Sequence, residues 1–355
     1  MSTEFSSPSS AGALPLGLLR AYQAACTRRA AFQAGSTFGL YLLCIAAMYA
    51  SLHVSLWLTL ALSLPASGLI VRLFMFQHDC GHGSFFGSKR LNIAFGSLCS
   101  LVTFTPFSYW RRLHARHHQS WNNLDGRGIP ADFFSDCATL AEYQAMSGWG
   151  KRLYQLSHHP LLIHVLLPPV IFLLLYRLPF DTPRAQRRER RSVYLLDLGL
   201  VLLYGGLIMA FGLKAVLLVH LPAIILAAII GIWLFSVQHR FEESQWARQA
   251  DWCPTQAALH GASYLKLPAW LQWFSGNIGL HHIHHLRPGI PNYRLQDCHD
   301  GCPDVTRDVT ILTLRDALRA PASRYGMRPA TAWCHSRPDA RDIAHQDKKS
   351  LKLKA

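Results

Sequence analysis

Two long stretches of this chain carry almost no charge, and they limit the folds open to it more than any other feature. Ala30 to Val71 contains no Asp, Glu, Lys or Arg, and Ser192 to His239 contains only Asp197 and Lys214. Each stretch is long enough for two helices of ~20 residues, the length that crosses the hydrocarbon core of a bilayer. Phe38 to Trp57 and Thr59 to Phe76 read as one hairpin, with Pro65 a candidate kink in the return arm. Tyr194 to Phe211 and Val216 to Ser236 read as a second, turned at Gly212-Leu213-Lys214. Two shorter apolar stretches remain. Leu91 to Phe107 is broken by Gly96, Thr103, Thr105 and Pro106, and Leu161 to Tyr176 by Pro168-Pro169.

Charge decides how these pieces sit. Only 15% of the 355 residues are charged, against ~25% in soluble domains. The polar remainder is basic, with a net charge of +15. In a chain this apolar, the excess reads as loops facing anionic lipid rather than as a nucleic-acid surface. If both hairpins dip from the cytoplasm and return, Lys214 alone of the 35 Lys and Arg lies on the far side, while Arg72 sits inside a helix and can snorkel. A full crossing by Leu161–Tyr176 would throw Arg184, Arg187, Arg188, Arg190 and Arg191 outward, so that segment belongs at the interface.

The expected fold is therefore an all-α membrane protein. It has four transmembrane helices in two hairpins, two interfacial helices and a cytoplasmic helical cap. One domain is expected over 31–302, between a flexible N-terminal segment, 1–30, and a basic C-terminal tail, 303–355. The first apolar stretch is too long for a cleaved signal core and should remain as an anchor. Nine scattered cysteines include no CxxC pair. They read as free thiols in a reducing compartment rather than a zinc site or a disulfide framework.

Nineteen histidines stand out, and their spacing matters more than their number. His78 and His82 are four apart; His114, His117 and His118 form a second group; His281, His284 and His285 form a third, with His282 beside them. Positions i, i+3 and i+4 share one helix face, so each group can aim two or three imidazoles at one point. Eight such nitrogens exceed the needs of one metal and suit two. His239 follows the fourth long helix, so four segments distant in sequence converge on one membrane face. Asn277 lies four residues before His281, on the same face if helical, where it could hold a metal-bound water. Asp79 is either an outer acceptor steadying an imidazole or a polar residue at the interface. Without a thiolate pair a soft copper or iron–sulfur site is disfavoured. No Glu-x-x-His of the soluble di-iron kind occurs. An all-imidazole pair of sites fits iron or zinc, and iron if the chemistry is oxidative. His53 and His220 fall near the opposite face. His158, His159 and His164 lack a partner group. His299, His335 and His345 read as solvated tail residues.

At these residues the chain resembles the membrane fatty acid desaturase family, in its bacterial and cyanobacterial acyl-lipid branch near the omega-6 (delta-12) type. His78-Asp79-Cys80-Gly81-His82-Gly83-Ser84-Phe85-Phe86 is similar to that family's first histidine box and its tail. Trp110-Arg111 leads into His114–His118, followed by Asn122-Asn123. Trp233-Leu234-Phe235 and Val237-Gln238-His239-Arg240-Phe241-Glu242 resemble the segment carrying an isolated ligand. Leu271-Gln272-Trp273-Phe274 leads to Gly276-Asn277-Ile278-Gly279, the third box and Ile290-Pro291-Asn292-Tyr293. The similarity runs from about Val71 to Cys298.

The resemblance implies that His78, His82, His114, His117, His118, His239, His281, His284 and His285 ligate two iron ions, with Asn277 a weaker analogue of a water-mediated contact. It implies O2 as co-substrate, a lipid-bound acyl chain as substrate, and an inner membrane with a cytoplasmic active site if the source is bacterial. The sequence holds no His-Pro-Gly-Gly haem motif, so electrons should come from a separate donor of the ferredoxin type, drawn to the basic cap. Unactivated methylene C–H bonds lie beyond acid–base chemistry, so metal and O2 must carry the reaction while the protein supplies position. Trp110, Trp233, Trp273 and Phe274 are candidate residues lining an acyl tunnel, or members of an interfacial aromatic belt. The competing readings are a membrane hydroxylase or ketolase with similar boxes, a metal transporter, and a haem-binding carrier. A transporter would place ionisable residues along the middle of its spans, where this chain is nearly bare. A haem carrier would need facing histidines at matched depths on two helices.

Overall fold

The structure is a computed structural model that describes residues 17–128 and 137–319. Four helices are long and apolar enough to cross a membrane: α1 (Thr27–Ser51), α2 (Leu56–His82), α8 (Arg187–Phe211) and α9 (Leu213–His239). They form the two hairpins expected. α2 and α9 pack together at the centre, and their apolar contacts reach α1 through Tyr41 and Met48 and α8 through Leu196 and Leu200. α1 and α8 are mostly uncovered by protein, as helices facing lipid would be.

The long helices extend past their apolar windows. α1 begins at Thr27 rather than Phe38, α2 runs on to His82 rather than stopping near Phe76, and α8 begins at Arg187 rather than Tyr194. Lys and Arg favour helix intrinsically and can hold their heads in water, so composition alone does not mark where such a helix begins. The extra turns carry His78 and His82 on α2 and His239 on α9, which lifts the histidines to the same end of the bundle.

The Leu91–Phe107 stretch becomes α3 (Lys89–Thr103), joined to α4 (Phe107–Ser120) with a bend of 99°. Phe104 adopts a left-handed conformation (φ 56°) and Pro106 cannot continue the first helix, so the chain turns there. α4 carries His114, His117 and His118. Beyond it come α5 (Leu140–Ala145) and α6 (Gly148–Ser157). The Leu161–Tyr176 stretch is not interrupted at Pro168-Pro169. A wide π turn over Leu162–Leu166 leads directly into α7 (Leu167–Leu173), whose first turn accommodates the prolines because its N–H groups need no helical partner.

Short helices α10 (Pro254–His260), α11 (Ala269–Phe274), α12 (His281–Leu286) and α13 (Asn292–Gly301) cap the histidine end. Packing extends beyond the 31–302 span at both ends. Leu19 is fully buried against Ile290 and Leu295. After α14 (Pro303–Thr306), strand β2 (Ile311–Thr313) pairs in parallel with β1 (Tyr264–Lys266) ahead of α15 (Leu314–Arg319). The cap therefore holds a small sheet that the all-helical expectation omits. The tail expected over 303–355 is packed as far as 319, and the rest of it, with Cys334, His335 and His345, lies outside the described residues, as do residues 1–16. The eight described cysteines are free.

Arg72 does not snorkel. It is buried, donating to Thr37 Oγ1 at 3.1 Å and to the Trp273 carbonyl, with its guanidinium 4.0 Å from the Trp273 ring. It fastens α11 to α1 and α2.

Candidate metal centre

The nine histidines expected as ligands meet at the end of the bundle. His78, His82, His114, His118 and His284 form one group; His117, His239, His281 and His285 form the other. Within each group the candidate ligand nitrogens all lie within 4.8 Å of one another. α4 feeds both groups: its i, i+4 pair His114 and His118 turns to the first, while His117, between them, turns to the second. α12 likewise sends His284 one way and His281 and His285 the other.

Nitrogen faces nitrogen across short gaps. His118 Nε2 stands 3.0 Å from both His114 Nε2 and His284 Nε2. His239 Nε2 is 2.9 Å from His281 Nε2, and His117 Nε2 is 3.3 Å from His285 Nε2. Three Nε2 atoms meeting at His118 cannot all be satisfied as hydrogen bonds, because a neutral imidazole carries a single N–H. A metal ion between them would resolve the conflict. With metal–nitrogen bonds of ~2.1 Å, nitrogens 2.9–3.3 Å apart are close enough to share one ion, and these residues would hold it. His82 Nε2, His118 Nδ1 and His281 Nδ1 are also buried without a partner among the described residues.

Two contacts to the outer ring nitrogens settle tautomers. Gly261 offers a carbonyl, so His239 Nδ1 donates to it at 3.2 Å and Nε2 is left with its lone pair toward His281. His78 Nδ1 donates to Asp79 Oδ1 at 3.3 Å and likewise presents Nε2. The second oxygen of Asp79 accepts from the Asn292 backbone N–H at 2.7 Å and side-chain amide at 2.8 Å. One buried carboxylate thus orients His78 and ties α13 to α2. In the cap, burial first and neighbouring imidazoles second hold His281, His284 and His285 well below the ordinary imidazole value. The neutral form, the one with a lone pair to offer, is favoured.

Asn277 is not on a helix with His281. α11 ends at Phe274, and Gly276 and Asn277 both take positive φ before α12 begins. The Asn277 amide donates to the Asn292 carbonyl at 3.2 Å. His299 is half-buried beside Tyr264 rather than solvated.

A cavity of about 400 Å³ opens beside the centre, with His78, His114 and His281 in its wall. The rest of that wall is almost wholly apolar. Of the four aromatic candidates, only Trp110 lines it. Trp233 packs into the helix core and Trp273 covers Arg72. Phe274 fills the notch at Gly68, where an added Cβ would stand 2.7 Å from its ring. Phe74, Leu113, Phe235 and Ile278 line the cavity instead. A signal for them existed. Phe74, Trp110 and Phe235 each lie four residues before a candidate ligand, His78, His114 and His239, and so share its helix face one turn away.

The fold and site define a helical membrane protein with two all-histidine groups, each able to hold a metal ion, beside a mostly apolar cavity. Comparison with known proteins supplies the family. A family model described as fatty acid desaturase matches residues 55–310. The chain is 40% identical over 287 residues to a fatty acid desaturase of Bacillus subtilis (strain 168), covering 81% of this chain and 79% of that one. It is 25% identical over 238 residues to the sn-1 oleoyl-lipid 12-desaturase of Synechocystis, covering 64% and 63%. It is also 26% identical over 270 residues to a chloroplastic sn-2 acyl-lipid omega-3 desaturase (ferredoxin) of Helianthus annuus, covering 72% and 58%. This chain belongs to the fatty acid desaturase family, and its activity is that of an oxidoreductase.

Proposed function

We propose that the chain inserts a double bond into the acyl chain of a membrane lipid, using O2 and two irons held by the nine histidines. The observation that carries this reading is the contact between the two histidine groups and a mostly apolar cavity that suits a hydrocarbon chain. Iron in an all-nitrogen donor set supplies, when bound, redox chemistry with O2 powerful enough for an unactivated C–H bond. His78, His82, His114, His118 and His284 would hold one ion, and His117, His239, His281 and His285 the other. Asp79 and the Gly261 carbonyl fix the rings of His78 and His239, so that lone pairs point inward. The cavity walls exclude water and hold two adjacent methylenes against the centre, which is the positioning the reaction needs. Asn277 is left without a metal role in this proposal.

Purified protein should contain about two irons, and a host of simple fatty acid profile expressing it should gain one new unsaturated acyl species. Stoichiometric zinc with no iron-dependent product would overturn the assignment. A hydroxylated product would turn the reading toward a hydroxylase.

The electron source in this proposal is a separate acidic one-electron carrier of the ferredoxin type, as named for the Helianthus relative. His118 and His285 are only half-buried, and exposed Arg116 lies on α4 beside His118. Arg112 and Arg248 are already engaged by Thr182 and Asp125. Turnover at limiting donor should fall as added salt shortens screening from ~10 Å at 0.1 M to ~3 Å at 1 M, and excess donor should restore it. Salt-independent turnover at limiting donor would remove charge steering from the account. The site would face the cytoplasm, across the inner membrane if the host is bacterial.

A further inference from the structure

The cap is fastened by a strap that precedes α1. A single 3-10 turn, Leu18–Gln23, packs against α13. Leu19 is fully buried in the same apolar cluster as Ile283 of α12 and Ile290, Leu295 and Cys298. Two glycines leave room for the side chains of the turn. A Cβ added at Gly289 would stand 2.7 Å from Gln23 Nε2, and one at Gly301 would collide with the Tyr22 hydroxyl. Arg29, in the first turn of α1, adds an ion pair to Asp297 at 3.2 Å, but both groups are about half exposed and contribute little.

Tyr293 joins this strap to the metal centre. Its hydroxyl accepts from the Cys26 backbone N–H at 2.8 Å and donates to the Phe85 carbonyl at 3.0 Å. Cys26 is the N-cap of α1 and its own side chain does not cap that end, so Tyr293 satisfies one of the N–H groups left over there. Phe85 lies three residues beyond His82, in the turn that follows α2. Beside Tyr293 is Asn292, whose backbone and side-chain N–H groups both meet Asp79 Oδ2, while Asp79 Oδ1 faces His78 Nδ1. Two consecutive residues at the start of α13 thus grip the strap, the turn after α2 and the carboxylate behind a candidate ligand.

We infer that Tyr293 is a positioning residue for the metal centre, its hydroxyl linking the N-terminal strap to His78 through Asn292 and Asp79. The inference rests on the reading of the histidines as metal ligands. It goes beyond that reading by coupling to the metal a segment, 18–29, that supplies no histidine to either group. With the hydroxyl bridging Cys26 and Phe85, α13 has one seat on α2, and Asp79 meets His78 at one angle. Without it, two backbone groups lose their partner, and the strap is held by apolar packing and the exposed Arg29 contacts. Coupling of this kind is reciprocal: what the strap adds to metal binding, metal binding adds to the strap.

The test is made on the full chain, purified without metal and titrated with Fe(II). Tyr293→Phe keeps the ring and removes the hydroxyl. It should weaken Fe(II) binding by about threefold to tenfold, less than the ~10–100-fold expected for the direct outer partner of a ligand. Asp79→Asn combined with Tyr293→Phe should bind no more weakly than Asp79→Asn alone, since the link runs through that carboxylate, whereas a tyrosine that only stabilises the cap would give additive losses. Hydrogen exchange supplies a measurement that needs no variant. In the wild-type protein Fe(II) should slow exchange in peptides covering 18–29, and Tyr293→Phe should abolish that slowing. Unchanged Fe(II) affinity in Tyr293→Phe, additive losses in the double variant, or exchange over 18–29 that is the same with and without bound Fe(II) would each overturn the inference. Wild-type protein that binds no Fe(II) would overturn the metal reading and this inference with it, so whether Fe(II) binds tells the two failures apart.

Discussion

Histidine is buried at both ends of this bundle, and the two ends treat it differently. At the far end, His220 on α9 lies between two tyrosines, its Nε2 3.1 Å from the Tyr49 hydroxyl and its ring packed edge-on against Tyr204. Each polar atom in that contact has a protein partner, and the histidine there ties α9 to α1. At the near end, ring nitrogens converge on one another, and several have no partner among the described residues. Both patches are buried, so burial does not separate them. What separates them is whether the protein satisfies its own imidazoles. A lone buried histidine with a hydroxyl beside it is structure. Two knots of mutually facing imidazoles are able to hold metal ions, and a cation in each would satisfy them.

The largest effect expected from this contrast comes from removing a single member of either knot. His284→Ala and His117→Ala should each abolish turnover and lower the iron content, while the protein still inserts in the membrane, because neither residue lies in a spanning helix. Iron analysis and product analysis on the same preparations check this. Product at the wild-type level from either variant would remove that residue from the site. Chelation of the wild-type protein should reproduce the loss and lower its thermal stability. The unfilled knots then keep their buried nitrogens without compensation, and the binding free energy that favoured the folded state is gone.

A smaller effect is expected one layer out, at Asp79. Its two oxygens accept three N–H groups, one from His78 and two from Asn292. Asp79→Asn keeps the shape but replaces one acceptor with a donor, so an N–H must face another N–H. Iron affinity should fall ~10–100-fold, the usual cost of losing a ligand's outer partner. Titration of the apo-protein with Fe(II) measures it. An unchanged affinity would mean that Asp79 serves only the α2–α13 contact.

How much of this was legible in the sequence follows from the kind of signal each part leaves. The two hairpins and the nine histidines were readable because charge deficit and i, i+3, i+4 spacing are local patterns. The sharing of α4 and α12 between two groups was not, since it depends on the angle at which three helix ends meet. Trp233, Trp273 and Phe274 are aromatic and near the boxes in sequence, which does not say which way a ring faces. The structure gives two of them to core packing and the third to Arg72, whose buried guanidinium needs an aromatic cover. The helix expected to carry Asn277 with His281 does not form, because Gly276 and Asn277 both take positive φ, which the spacing of residues does not reveal. The β1–β2 pair joins segments more than forty residues apart, a distance over which no periodicity in the chain speaks.

The smallest effect belongs to the far end, and it is the one that most sharpens the contrast. His220→Phe keeps a ring of similar breadth between Tyr49 and Tyr204, so the edge-on contacts at 5.8 and 5.3 Å have a replacement. It removes the hydrogen bond to Tyr49, which costs ~1–3 kcal/mol when the partner is left buried and unsatisfied. Tyr49 is only half-buried, so its hydroxyl can turn outward and the loss should sit near the bottom of that range. Thermal unfolding should therefore shift by a few degrees at most, with iron content and product unchanged. The pairing of the two readouts matters more than either value. If His220→Phe lowered the iron content as His284→Ala is expected to, burial rather than mutual orientation would be what the metal-binding end depends on, and the distinction between the two ends would fail.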